Sequence, residues 1–74
     1  METVAIYYRV DRREIGYLRF ILESYDGVGV LSTLNSEAGI VKLGVPPDRM
    51  AEANRIIGDL AHEIRIERLE DPGN

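Results

Sequence analysis

Thr3 to Val10 reads T-V-A-I-Y-Y-R-V, and the chain continues with Asp11, Arg12, Arg13 and Glu14. The first segment is rich in β-branched and aromatic residues, which favour strands. Its apolar residues alternate at period two and predict one apolar face, which comprises Val4, Ile6, Tyr8 and Val10. Asp11 occupies the N-cap position of a helix, and Glu14 follows as in a capping box. The stretch therefore predicts a β-strand that leads directly into an α-helix.

The predicted first helix runs from Arg12 to about Tyr25. Apolar residues recur at helical spacing and cover one face of it, namely Ile15, Leu18, Ile21, Leu22 and Tyr25. Gly27 follows, at a position where the left-handed conformation that ends a helix favours glycine.

A hairpin is predicted next, because two strand-like segments flank a loop of turn-forming residues. Val28 to Leu34 forms the second strand, 35–39 forms the loop, and Ile40 to Val45 forms the third strand. In the third strand Val41, Leu43 and Val45 alternate against Ile40, Lys42 and Gly44. Pro46 and Pro47 end that strand, since proline cannot donate to the ladder.

The remaining residues predict a second helix and a final short element. Asp48 is expected to cap the helix, whose apolar stripe comprises Met50, Ala53, Ile57, Leu60, Ala61 and Ile64. A short alternation from Ile64 to Leu69 favours a fourth strand. The alternative extends the helix to Leu69, because no Gly, Pro or Asn precedes Ile64 as a break.

The element order is β-α-β-β-α-β, which predicts an α+β ferredoxin-like fold. In this fold two helices pack on one face of a four-stranded antiparallel sheet. We expect one domain over residues 1–70 and a disordered tail over 71–74. So short a chain buries only about 60% of its unfolded surface, and it has no cysteines for disulfides. Self-association is therefore the expected additional source of stability.

Composition argues against several functions. The chain has 13 acidic and 9 basic residues, which disfavours nucleic acid and anionic lipid as partners. Without cysteine, and with His62 as the single histidine, the usual zinc ligand sets and a cysteine nucleophile are excluded. His62 is interpreted as solvated. We expect a non-enzymatic protein without cofactor or metal, and a cytoplasmic one, since no signal peptide or membrane span is recognisable.

A candidate ligand site lies around the start of the first helix, at Arg9, Asp11, Arg12 and Arg13. Guanidinium groups and free backbone N–H groups at such a place suit a carboxylate or phosphate, so a small anionic metabolite is the expected ligand. The alternative is that these arginines are solvated or paired with Asp11 and Glu14.

Surplus apolar surface predicts an interface, most simply that of a homodimer. Ala5, Tyr7 and Ile40 fall on the open side of the sheet, whereas Tyr17 and Phe20 lie away from the main stripe of the first helix. Two alternatives are that these surfaces dock a larger protein, or that the residues are scattered singly. RNA binding on the sheet is disfavoured, since the third strand offers Lys42 and Gly44 where stacking aromatics are needed.

The stretch from Tyr8 to Leu18, with Ile21-Leu22-Glu23 and Gly27 after it, is similar to a family of short bacterial proteins of unknown function. The order of elements also resembles ACT domains, the amino-acid-sensing regulatory modules. Asp11-Arg12 matches the first half of their turn into helix one, while Arg13-Glu14 replaces its proline and glycine. This resemblance implies a dimer and an effector bound near that turn.

Overall fold

The computed structural model describes residues 3–25 and 27–70, so the predicted tail at 71–74 lies outside the described residues. Its strands are β1 (Val4–Val10), β2 (Val30–Asn35), β3 (Ile40–Val45) and β4 (Ile66–Leu69). Its helices are α1 (Ile15–Glu23) and α2 (Met50–Leu60), which follow short 3₁₀ turns at Arg12–Glu14 and Pro47–Arg49 respectively.

The four strands form one antiparallel sheet in the order β2-β3-β1-β4. This arrangement, with one helix after β1 and one after β3, confirms the ferredoxin-like α+β fold. In the central pair, Ile6 lies opposite Leu43 and Tyr8 opposite Val41. These side chains are buried, whereas their neighbours in sequence are not, which is the alternation expected of a sheet covered on one face.

The core lies between this face of the sheet and the two helices. It comprises Ile6, Tyr8, Val10, Ile15, Leu18, Leu22, Val28, Val41, Leu43, Val45, Ala53, Ile56, Ile57 and Leu60. Four details of the predicted core are wrong. Val4, at the strand end, is 39% exposed, and Tyr25, past the end of α1, is 40% exposed. Ile56 is buried although it was left out of the stripe, and Ala61 is exposed because α2 ends at Leu60.

The start of the first helix is partly as predicted. The Arg13 N–H donates to Asp11 Oδ1 at 2.9 Å, which confirms Asp11 as the capping residue. The Glu14 N–H donates to the Asp11 carbonyl, so the first turn is a 3₁₀ turn and α1 proper begins at Ile15 rather than Arg12. Within the described residues the Glu14 side chain makes no return bond, so the capping box is only half formed.

The prediction that Asp48 caps the second helix is wrong. Pro47 begins a 3₁₀ turn that contains Asp48, and neither this turn nor α2 has a side-chain cap. A proline at the first helical position needs no partner for a missing N–H, and its φ suits a helix start. The turn therefore begins one residue before Asp48 and leaves that carboxylate inside it.

The other boundaries are close to those expected. Gly27 has the predicted left-handed φ of 75°, but it does not end the helix, because α1 stops at Glu23 with Ser24 as its C-cap, two residues before the predicted end at Tyr25. The chain after it reaches the buried Val28 before β2 begins at Val30, two residues later than expected. The last element is a strand, because α2 stops at Leu60 and the Ile64 N–H donates to the Leu60 carbonyl in a closing turn.

Gly39 fixes the contact between the β2–β3 hairpin and the end of β1. The Val10 N–H donates to the Gly39 carbonyl at 2.8 Å. Gly39 has a φ of 73°, and a Cβ there would overlap the Val10 carbonyl oxygen. Both the backbone conformation and the space therefore require glycine.

We expect Gly39→Ala to reduce the free energy of unfolding by at least about 2 kcal/mol, because the methyl group meets both a left-handed backbone and a carbonyl. Gly44→Ala in β3 is the matched control, since its Cβ would find its nearest atom 3.5 Å away. Urea denaturation of both variants checks this. Equal losses in the two would contradict the role of Gly39.

Candidate functional site

Arg13 and Asp11 are bound to each other at the start of the first helix. The Arg13 Nε donates to Asp11 Oδ1 at 3.1 Å and its Nη2 donates to Asp11 Oδ2 at 2.8 Å. These hydrogen bonds lower the pKa of Asp11 to about 2 and raise the pKa of Arg13. The carboxylate thus occupies one side of the guanidinium that was predicted to bind an anion.

Arg9 is also near a carboxylate. It lies opposite Glu67 in the β1–β4 register, with 3.8 Å between Arg9 Nη1 and Glu67 Oε1. Both side chains are more than half exposed, so this contact is a weak surface pair. Arg9, Asp11, Arg65 and Glu67 border an open depression of about 400 Å³. Because both cationic and acidic side chains line this depression, it does not favour an anionic ligand over a cationic one.

Arg12 does not border this depression. With Arg13, Ser36 and Glu37 it borders a second open depression, of about 310 Å³, against the tip of the β2–β3 hairpin. No ion pair or side-chain hydrogen bond joins Arg12 to the rest of residues 3–25 and 27–70. The predicted ligand residues are therefore divided between two depressions, and Arg12 keeps the free guanidinium.

Sequence analysis missed the hairpin tip and Arg65 as neighbours of these arginines. Val10 bonds to Gly39, and this contact brings Ser36 and Glu37 towards Arg12. Arg65 precedes β4 and reaches the depression because β4 pairs with β1. Both contacts depend on which strands pair, and the local sequence pattern does not indicate that pairing.

The predicted interface residues lie on two separate surfaces. Ala5, Tyr7 and Ile40 share the open face of the sheet. In the register Tyr7 lies opposite Lys42 and Ile40 opposite Arg9, so charged residues separate the apolar ones. This open face is consequently a mixed surface.

Tyr17 and Phe20 lie on the helical side. The Tyr17 hydroxyl donates to Glu63 Oε1 at 2.7 Å and joins α1 to the segment that follows α2. This hydrogen bond is the main reason that the pKa of Tyr17 is raised. Phe20 is 68% exposed, so the single phenylalanine of the chain contributes little to the core.

Strand β2 is an exposed edge that the sequence alone did not distinguish. It pairs with β3 on one side, and Val30 is 72% and Leu34 49% exposed. Arg19 of α1 donates to Thr33 Oγ1 on this strand at 3.1 Å. The most exposed apolar side chains, Val30 and Phe20, therefore belong to β2 and to the helix hydrogen-bonded to it.

His62 is exposed, as expected. Among residues 3–25 and 27–70 no group of three or more His, Cys, Asp or Glu side chains could hold a metal ion. No helix in the described part of the chain is long and apolar enough to cross a membrane.

The fold defines a small ferredoxin-like domain in which Asp11 and Arg13 pair at the start of the first helix. Residues 8–64, more than half of the chain, match the family described as Domain of unknown function (DUF4911). The chain belongs to this family, which confirms the similarity to a family of unknown function. No curated protein and no solved structure matches the chain, and the ACT resemblance stays a prediction.

We expect the stability of Asp11→Asn to fall less than that of the wild type when the pH is lowered below about 4. Because the pKa of Asp11 falls from 3.8 to about 2 in the folded chain, ionised Asp11 stabilises the fold above about pH 4. That stabilisation is lost as the pH falls through about 2. Asparagine can still cap the helix but carries no charge.

Melting temperatures measured from neutral pH to about pH 2 check this expectation, with Asp59→Asn in α2 as the control. The wild type and the control should lose more stability on acidification than Asp11→Asn. Parallel curves for all three would show that the Asp11–Arg13 pair contributes nothing to the fold.

Proposed function

We propose that this domain is a non-enzymatic module that acts by self-association, as a homodimer. The exposed apolar surface of the domain is the observation that supports this proposal. Among the described residues, six large hydrophobic side chains are at least 38% exposed, namely Val4, Tyr17, Phe20, Tyr25, Val30 and Leu34. Large apolar side chains left in water favour a surface that binds a partner.

The size of the chain supports the same proposal. A domain of 74 residues buries a small core, and it has no disulfide to constrain its unfolded state. Association buries apolar surface that folding leaves in water, and it stabilises the folded state by mass action. A second copy is the simplest partner, since it is present wherever the chain is made.

We expect the mass in solution to rise above the 8.3 kDa of one chain as concentration increases and to approach that of a dimer. Light scattering behind size-exclusion chromatography, over about three decades of concentration, measures it. A mass that stays at one chain throughout would contradict self-association.

Regulatory binding of a small anion is the second candidate function, and Arg12 is the observation that favours it. Its guanidinium has no partner among the described residues and opens, with Arg13, onto the depression of about 310 Å³. The backbone N–H groups of Arg13 and Glu14 are already bonded to Asp11, so the site offers guanidinium groups rather than free N–H groups to an anion. The acids in the same region, Asp11 and Glu37, weaken the case for this site.

Inorganic phosphate is the probe for this site. We expect phosphate to raise the melting temperature of the wild type and of Arg55→Ala, an exposed arginine of α2, at matched ionic strength. The double variant Arg12→Ala/Arg13→Ala should lose this increase. An increase of the same size in all three proteins would show that phosphate does not bind at Arg12.

Docking of a larger protein through the open sheet face is the alternative to a homodimer. Ala5, Tyr7 and Ile40 support it, and Tyr7 and Ile40 are only partly exposed. The intervening Lys42 and Arg9 make this face a mixture of charged and apolar groups, which favours docking less than a continuous apolar face would.

A further inference from the structure

We infer that the homodimer forms through one exposed strip of α1, which packs against the same strip of a second copy. The strip consists of Gly16, Phe20 and Glu23 of α1 together with Arg12 of the 3₁₀ turn before it, and we call it the α1 strip. This inference rests on the proposed self-association and names the surface that carries it. It assigns a role to Gly16 and Glu23, which neither the core nor the candidate ligand site uses.

The α1 strip combines a large side chain with a gap. Phe20 is 68% exposed. Gly16 lies one turn earlier on the same side of the helix, about 40° away at 100° per residue. A Cβ built on Gly16 would meet no atom within 4 Å. The helix therefore carries an aromatic side chain beside an exposed position that has no side chain, and we call this position the gap.

Nothing within one copy requires glycine at position 16. Glycine is among the least favourable residues for a helix, and Gly16 is neither in a left-handed conformation nor close to a neighbour. A position that admits a side chain and yet lacks one suits close approach by another molecule. Gly58 in α2 has the same open surroundings, and what distinguishes Gly16 is the exposed Phe20 ring one turn away.

Two-fold symmetry makes the α1 strip complementary to itself. When two α1 helices pack antiparallel about the level of Leu18, Phe20 of each copy lies over Gly16 of the other. A two-fold interface requires this reciprocity, in which residue i contacts residue j and j contacts i. Phe20 and Gly16 are each two residues from Leu18, so one antiparallel arrangement places both Phe20 rings over the two Gly16 positions.

The charges at the two ends of the α1 strip match in the same arrangement. Arg12 lies in the 3₁₀ turn before α1, four residues before Gly16, and Glu23 is the last residue of α1, three residues after Phe20. Neither forms an ion pair with residues 3–25 or 27–70, and both are exposed. Antiparallel packing brings Arg12 of each copy beside Glu23 of the other, twice per dimer. This use of Arg12 competes with its use for an anion.

The short length of α1 limits the strength of the dimer. Its 9 residues span about 14 Å, so the contact is smaller than the roughly 1,200 Å² of a stable interface. We therefore expect a dimer that dissociates on dilution rather than a permanent one.

Charge reversal provides the sharpest test. Arg12→Glu alone and Glu23→Arg alone each place two like-charge contacts in their own homodimer, and each should weaken association about tenfold by sedimentation equilibrium. An equimolar mixture of the two variants forms a heterodimer in which both contacts again join opposite charges. Association in the mixture should return to within about threefold of the wild type.

Filling the gap is the second test. Gly16→Gln places a long side chain where Phe20 of the other copy would lie, and it should abolish the dimer. Gly58→Gln in α2 is the matched control, since Gly58 also lies in a helix with no atom within 4 Å of its Cβ position. Both variants should retain the circular dichroism spectrum of the wild type, and Gly58→Gln should dimerise normally.

The outcomes separate this inference from the proposed function. A mixture that stays as weak as its components, or a Gly16→Gln variant that still dimerises, would overturn the α1 strip. If instead Val30→Glu on β2 dissociates the dimer while the α1 variants do not, self-association stands and the strip is wrong. A wild type that is monomeric at every concentration refutes both.

Discussion

The antiparallel pairing of β1 with β3 is the contact on which the rest of the structure depends. It places Ile6 against Leu43 and Tyr8 against Val41 on one face, and this face supports both helices. The same register ends at Arg9 and Ile40, where Gly39 admits the hydrogen bond from Val10. The strand pairing therefore also sets the position of the hairpin tip relative to the helix start that follows Asp11.

Because the helices cover only one face of the sheet and the core is small, several apolar side chains stay exposed to solvent. Helix α1 uses Leu18 and Leu22 for the core, so Phe20 must point away from it. Around the helix start the charged groups behave differently, because Asp11 and Arg13 largely satisfy each other. What remains available to a partner is thus more apolar on α1 than at the candidate ligand site.

Local patterns in the sequence predicted the fold well where one periodicity dominates. The alternation in β1 and β3 predicted their faces and the extent of β3, and Asp11 marked the start of the first helix. Gly27 did not mark its end, since α1 stops at Glu23 with Ser24 as its C-cap. Asp48 failed as a cap because Pro47 begins its own turn, which is a competition between two start signals. The edge position of β2 and the neighbours of Arg12 arise from strand pairing between distant segments, which no local pattern contains.

Intermolecular nuclear Overhauser effects in an equimolar mixture of isotope-labelled and unlabelled chains test the central claim most directly. Phe20 is the single phenylalanine of the chain, so its ring protons are identified without ambiguity. The account predicts contacts between the Phe20 ring protons of one chain and the α protons of Gly16 in the other. Intermolecular contacts that involve the methyl groups of Val30 and Leu34 but not Phe20 would contradict it.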